Sequence, residues 1–332
     1  MEFPYPLLVC DIGGTNVRLA SVSAPDAAPV LLAKLKTQDF PDFADCVQQT
    51  LARTGAPQPR SILACGAGPV AQRRLHLTNA AWTIDGPQIA YRLGLSQGLL
   101  LNDFEAQALA LPTHRPEWLH GIGAPRPRLP GPQLILGPGT GLGVAALVRE
   151  ADCFLPLASE AGHMDFAPAD DAEAALWPHL ERFHGRVTAE SVLSGPGLLR
   201  LHKARCAMAG TLDRGLSGAD LVKRGVSDSL SEEAYTIRHF WRLTGRFAGD
   251  MALVFLARGG VTLAGGILPR LIPLLDAEEF RLAFEQKAPM DELVRSIGTQ
   301  VVVAPDAVLV GMAAIAAHPA HYRLNYQDRA WR

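Results

Sequence analysis

Asp103, in Leu101-Asn102-Asp103-Phe104-Glu105, follows an apolar run and opens a helical pattern. An aspartate so placed has two readings. As a helix cap it contributes about 1 kcal/mol of stability. As a general base it takes a proton from a reacting hydroxyl, and its loss costs about 10²–10⁴ in rate with little change in stability. A second group, Ser159-Glu160-Ala161-Gly162-His163-Met164-Asp165-Phe166, sets Glu160, His163 and Asp165 among small residues. It reads as a solvated polar loop, or as a fence of donors and acceptors for a polyhydroxylated ligand. No HExxH helix accompanies it, so it is not a zinc pattern. Glu190, in Thr188-Ala189-Glu190-Ser191, stands at an expected helix start, where an acid also complements the dipole. Asn79, in Leu77-Thr78-Asn79-Ala80-Ala81-Trp82, has the character of a turn residue.

Two glycine-rich turns each join apolar strands. The first is Asp11-Ile12-Gly13-Gly14-Thr15-Asn16, the second Gly137-Pro138-Gly139-Thr140-Gly141-Leu142-Gly143. Aligning Asp11 with Gly137 brings Gly13 onto Gly139, a short internal repeat of strand, Gly/Thr turn, strand. Such turns serve as plain hairpin corners. They also let successive amides approach an anion, with glycine free to take positive φ. Two of them suggest a polyphosphate gripped by related halves. Neither is a Walker A loop, since no Gly-Lys-Ser/Thr occurs, and the alternating glycines of the second do not spell GxGxxG. Gly265-Gly266 ends another expected strand and precedes a helix, a geometry shared by nucleotide contacts and tight connections.

The elements that must position these groups alternate. Strands are expected at 7–11, 17–23, 30–36, 61–66 and 73–78, with helices near 41–53, 86–93 and 104–111. The Pro/Gly-rich stretch 114–132 reads as a linker. Beyond 170 the pattern is mainly helical, over 171–184, 196–208 and 231–257, with strands at 261–264 and 301–303 and a helix at 307–317. The tail from His318 is polar and aromatic and suggests no function. Mixed alternation implies sheets covered by helices, with ligands at the carboxyl ends of strands.

At 332 residues, two domains are expected. A hydrophobic share of 48% and a charged share of 19% fit a globular protein. The formal net charge of −2 offers no footprint for nucleic acid or an anionic membrane. No stretch approaches the roughly 18 apolar residues of a membrane span, and no signal peptide is expected. Five widely spaced cysteines without a CxxC pair suggest reduced thiols in the cytoplasm.

Taken in order, these segments resemble the bacterial glucokinase family. The resemblance is carried by Asp11–Arg18, Gly68-Pro69-Val70, Leu77–Trp82, Asn102-Asp103-Phe104, Gly139–Ala145, Glu160–Pro168, Glu190–Leu198 and Ala264-Gly265-Gly266-Ile267, spread over about residues 7 to 317. It implies an α/β, two-domain hexokinase/actin-like (ribonuclease H-like) fold with an interdomain active-site cleft. The small domain would comprise 1–111 plus about 306–325, the large domain 112–305. It implies ATP-dependent phosphorylation of glucose at the 6-hydroxyl, the first step of glycolysis, with Asp103 as base. Asn79, Asn102, Asp103, Glu160, His163 and Glu190 would hold the sugar. Asp11, Gly13, Gly14, Thr15, Asn16, Gly139, Thr140, Gly141, Gly265 and Gly266 would hold ATP, with Asp11 also near Mg²⁺. A cytoplasmic homodimer is implied as well. The chain departs from the family pattern at Cys10, at Ala161 and at Ala71-Gln72, none of which carries assigned chemistry. Two alternatives stand beside this: a kinase for another hexose or phosphoryl donor, and a non-catalytic sugar-sensing regulator. The near-neutral charge, the intact acid and turns, and the lack of a Cys/His cluster argue against the regulator.

Overall fold

The structure, a computed structural model, describes residues 2–77 and 82–331. The chain divides into two compact units. One comprises Met1–Trp118, Leu147–Leu157 and Ala304–Arg332, the other Leu119–Ala146 and Ala158–Val303.

In chain order the elements begin with β1 (Leu7–Ile12), β2 (Asn16–Val22), β3 (Val30–Lys36), α1 (Phe43–Thr54) and β4 (Ser61–Gly66). A small sheet follows from β5 (Val70–Ala71), β6 (Arg74–His76) and β7 (Thr83–Asp85), then α2 (Gly86–Leu93), β8 (Gln97–Asn102) and α3 (Asp103–Ala110). Next come β9 (Leu119–Ile122), β10 (Gln133–Pro138), β11 (Leu142–Glu150) and β12 (Cys153–Ser159). The helical stretch holds α4 (Asp171–Leu176), α5 (Ala189–Val192), α6 (Gly195–Ala209), α7 (Gly218–Ser227) and α8 (Glu232–Val254). It leads to β13 (Val261–Leu263), α9 (Leu268–Leu271), α10 (Ala277–Glu285), α11 (Asp291–Arg295) and β14 (Thr299–Val302). The last elements are α12 (Ala307–Ala317), α13 (Tyr326–Arg329) and β15 (Ala330–Trp331).

Among the described residues there are two six-stranded sheets, and they follow one plan. The first runs β15-β8-β4-β1-β2-β3, the second β9-β14-β13-β10-β11-β12. In each, three parallel strands occupy one half: β1, β4 and β8 in the first, β10, β13 and β14 in the second. In each, an antiparallel strand closes the edge, β15 on β8 and β9 on β14. The glycine turns of the internal repeat are the equivalent corners β1–β2 and β10–β11. The repeat therefore extends well beyond the residues that display it.

The parallel strands are buried on both faces, so β4 reads as the unbroken buried run Ser61–Gly66 rather than an alternation. Helix α12 is apolar nearly all round and accordingly lies inside the first unit, touching α3, where Gly311 meets Ala110. The second unit's core centres on α8, whose Phe240, Trp241 and Phe247 are buried. No helix among the described residues is long and apolar enough to cross a membrane. The five cysteines are unpaired, all buried but Cys153. Burial pushes the Cys10 thiol well up and that of Cys46 to about 11.

Three expectations change. The helix expected over 171–184 stops at Leu176, and a 3-10 turn at Trp177–His179 follows, because Pro178 supplies no amide and restricts the residue before it. The stretch 114–132 is not simply a linker, since it contributes edge strand β9. The tail supplies the corresponding edge of the first sheet as β15.

Glu173, fully buried, sits between Arg242 at 3.1 Å and Arg246 at 3.1 Å and accepts the Ala169 amide at 2.9 Å. Removing one member of such a group strands buried charge. Glu173→Ala is expected to lower unfolding free energy by about 3–5 kcal/mol in urea titrations. A loss below about 1 kcal/mol would mean that water replaces the carboxylate without strain.

Candidate active site

In the first unit the register of β1, β4 and β8 sets Asp11 beside Cys65 and Gly66 beside Asn102. Asp11 and Asp103 therefore stand at the same carboxyl edge. The Cys65 thiol lies within the influence of both carboxylates, which add to burial in pushing it well up. Across the hairpin, Arg18 Nη1 lies 3.3 Å from Asp11 Oδ2 and also donates to the Pro305 carbonyl. Cys65 Sγ donates to Asp11 Oδ1 at 3.7 Å.

The two readings of Asp103 separate cleanly. The cap of α3 is Asn102, whose Oδ1 accepts the amides of Phe104 at 3.0 Å and Glu105 at 3.1 Å. Its Nδ2 donates to the Gly68 carbonyl at 3.1 Å, fixing the loop before β5. Most of the Asn102 side chain thus serves local geometry. Asp103 is the first helical residue, half-buried, and its Oδ1 accepts the Phe104 amide at 3.0 Å. Asn79 lies outside the described residues.

In each glycine turn one amide is committed to the turn itself. Gly13 donates to Asn16 O at 2.8 Å, and Gly139 donates to Gly141 O at 2.8 Å, so the aligned amides close their own turns. Gly13, Gly14, Gly139 and Gly141 all lie outside the positive-φ region. Thr15, Asn16 and Thr140 are exposed at the tips. The first turn is clamped by buried Thr37, whose hydroxyl donates to Gly13 O at 3.0 Å and whose amide donates to Thr15 O at 3.0 Å.

In the second unit, Gly265 does take positive φ, +98°, and a Cβ there would stand 2.3 Å from Pro138 O. Only glycine suits that position. The close pairing of β10 with β13 brings Gly139–Gly141 and Gly265–Gly266 to one edge of the second sheet. The α6 start joins them: Gly195 donates to Gly139 O at 2.8 Å, and Ser194 caps the helix through Gly197.

Glu190 spans two groups that sequence reading kept apart. Its Oε2 accepts the Leu142 amide at 2.9 Å, so close that a Cβ on Gly141 would stand 2.4 Å away. Its Oε1 lies 3.9 Å from His163 Nδ1, while His163 Nε2 lies 3.7 Å from Glu160 Oε2. Glu160, His163 and Glu190 are one cluster. Arg186 holds their loop, with Nε 2.7 Å from Asp165 and Nη2 donating to His163 O at 3.0 Å.

Sequence reading missed Thr37, Arg186 and the Glu190–Leu142 link. Each depends on partners remote in the chain, and no local spacing signals them. Ser194 was missed too, though a serine before Gly-Pro is a local sign of a helix start.

Asp11 suits Mg²⁺. That ion is held by one or two carboxylates with water and substrate phosphates rather than by a protein cage. Burial raises the Asp11 carboxyl, Arg18 and the Cys65 hydrogen bond pull it down, and nearby Asp306 raises it further. A cation there would offset the charges of Asp11 and nearby Asp306.

The chain matches the family model described as Glucokinase over residues 8–319. It is 41% identical over 333 residues to a glucokinase of Sinorhizobium fredii, covering 100% of this chain and 98% of the relative. The chain belongs to the glucokinase family. A solved glucokinase from an Antarctic psychrotroph is 32% identical with a TM-score of 0.79, over 94% of this chain and 98% of that one. A glucokinase from Balamuthia mandrillaris, solved in complex with glucose, shares the fold at 21% identity and a TM-score of 0.79, over 94% and 93% of the two chains. The fold of this glucokinase-family member is thus the two-domain, hexokinase-like α/β fold.

Proposed function

We propose that this chain transfers the γ-phosphoryl group of ATP to the 6-hydroxyl of D-glucose, yielding glucose 6-phosphate and ADP. Family membership over nearly the whole chain carries this reading. The placement of Asp103 at the carboxyl edge of three parallel strands supports its role. Phosphoryl transfer asks mainly for positioning and charge neutralisation. In this reading Asp103 accepts the proton of the 6-hydroxyl as that oxygen bonds to the γ-phosphorus. The bond from phosphorus to the β,γ-bridging oxygen breaks, and ADP leaves. Glu160, His163 and Glu190, with Asn79 and Asn102, hold the remaining hydroxyls through neutral and charged hydrogen bonds. No Arg or Lys clamp is needed for an uncharged sugar. The tips at Gly13–Asn16 and Gly139–Gly141 face the phosphates, and Gly265-Gly266 lie against the adenosine. Asp11 would hold Mg²⁺, which when bound neutralises phosphate charge.

A site that hydrogen-bonds hydroxyls rejects analogues lacking them by about 10⁴ or more, since its own polar groups are left unpaired. The test is ADP release from ATP across a panel of hexoses, repeated with ADP and polyphosphate as donors. Glucose with ATP should give the highest kcat/KM. Absence of turnover with any hexose, or preference for another sugar or donor, removes the assignment. The reading extends to a cytoplasmic setting, which the unpaired thiols suit. It also extends to a homodimer, carried by the resemblance alone, and light scattering at a monomer mass would remove it.

A further inference from the structure

The tail, for which the sequence suggests no function, is built into the sheet that carries Asp103. Ala330 pairs with Leu99 and Trp331 with Gly98, both on β8, the strand that ends at Asn102. The Trp331 ring lies so close over Gly98 that a Cβ there would stand 2.1 Å from Cζ2. At Gly86 a Cβ would stand 2.4 Å from the same ring. Trp331 is 4% exposed, a key seated between α2 and β8. Just before it, Arg329 pairs through Nη1 with Glu105 Oε1. Glu105 is 3% exposed and lies in the first turn of α3, two residues beyond Asp103. The Asp328 carbonyl accepts the Arg73 amide at 2.6 Å, reaching the β5–β6 turn. Gly68, which precedes that hairpin, is the residue tied to Asn102.

We infer that residues 326–331 brace the first turn of α3 and the β5–β6 hairpin, making Arg329 and Trp331 positioning residues for the carboxylate of Asp103. The brace rests on the reading of Asp103 as proton acceptor. A carboxylate as buried as Glu105 is held by its ion partner, and removing that partner leaves uncompensated charge that pulls the helix turn toward water. Displacement of a reacting group by about 1 Å costs as much as 10²-fold in rate. The effect belongs in kcat rather than in KM for ATP, because among the described residues the named contacts of 326–331 reach β8, α2, α3 and the β5–β6 turn and not the groups proposed to hold ATP.

The test measures kcat and KM for the wild type, Arg329→Ala, Glu105→Gln and the double variant, per mole of folded protein by circular dichroism. R329A should lose about tenfold or more in kcat, with KM for ATP within about twofold. E105Q, which keeps side-chain volume and strands no buried charge, should lose about threefold or more. The double variant should be no slower than R329A, since both changes break one pair. Should R329A not fold, E105Q decides alone. R329A and E105Q both within about twofold of wild-type kcat, or losses that multiply in the double variant, overturn the brace. Asp103→Asn in the same series keeps the two ideas apart. If it retains full turnover, the base assignment has failed whatever the tail variants do.

Discussion

Asp103→Asn is expected to leave a folded protein whose glucose phosphorylation runs about 10²–10⁴-fold slower. The structure removes the usual objection, that such a loss reflects a broken helix end. The cap of α3 is Asn102, which holds the Phe104 and Glu105 amides itself. Losing a first-turn acid weakens the dipole interaction by only about 0.3–1 kcal/mol. Urea midpoints should therefore move little while kcat collapses, and KM for ATP should stay near the wild-type value. Turnover close to wild type would sink Asp103 as proton acceptor. Asn102→Ala makes the contrary case: loss of the cap and of the Gly68 tether should cost about 1–2 kcal/mol of stability together with activity.

Glu190 should show the second-largest effect, and its two oxygens predict different phenotypes for two substitutions. Alanine removes both the acceptor of the Leu142 amide and the group beside His163. Glutamine keeps a carbonyl oxygen for Leu142 and loses only the charge. A hydrogen bond to a charged group is worth about 1.5–3 kcal/mol, so either change should lower kcat/KM for glucose by about 10- to 100-fold. Only Glu190→Ala should also weaken binding of a non-hydrolysable ATP analogue, because only it loosens the corner at Gly139–Leu142. Calorimetric titration of the analogue distinguishes them. Equal nucleotide affinity in E190A and E190Q would mean that the corner holds its shape unaided.

Much of this was legible in the chain, and the reason is physical. Strands such as Leu7–Ile12 and helices such as α12 announce themselves through apolar pattern, and Gly/Thr corners through residue type. The repeat around Asp11 and Gly137 marked the equivalent corners of two sheets that share a strand order. What could not be read from the chain depended mostly on tertiary partners. The corners were expected to offer successive amides to an anion, and local turn closure occupies those of Gly13 and Gly139. Leu142 was unremarked as an apolar residue, although its amide anchors Glu190. The stretch 114–132 has linker composition, and only pairing with β14 makes part of it a strand. The tail lacked any pattern because its fit is made by the glycines of α2 and β8, far earlier in the chain.

The first unit is assembled from three separated pieces of sequence, and its sixth sheet strand arrives at residues 330–331. During synthesis β1, β4 and β8 emerge early, but α12, which fills their interior, and β15, which seals their edge, follow some two hundred residues later. Contacts of such long sequence separation form slowly. The nascent chain thus carries its acidic helix start on an incomplete sheet while the second unit's helices consolidate. The strand that seals this sheet and the helix that fills its interior thus join the acidic helix start only after some two hundred further residues have been made.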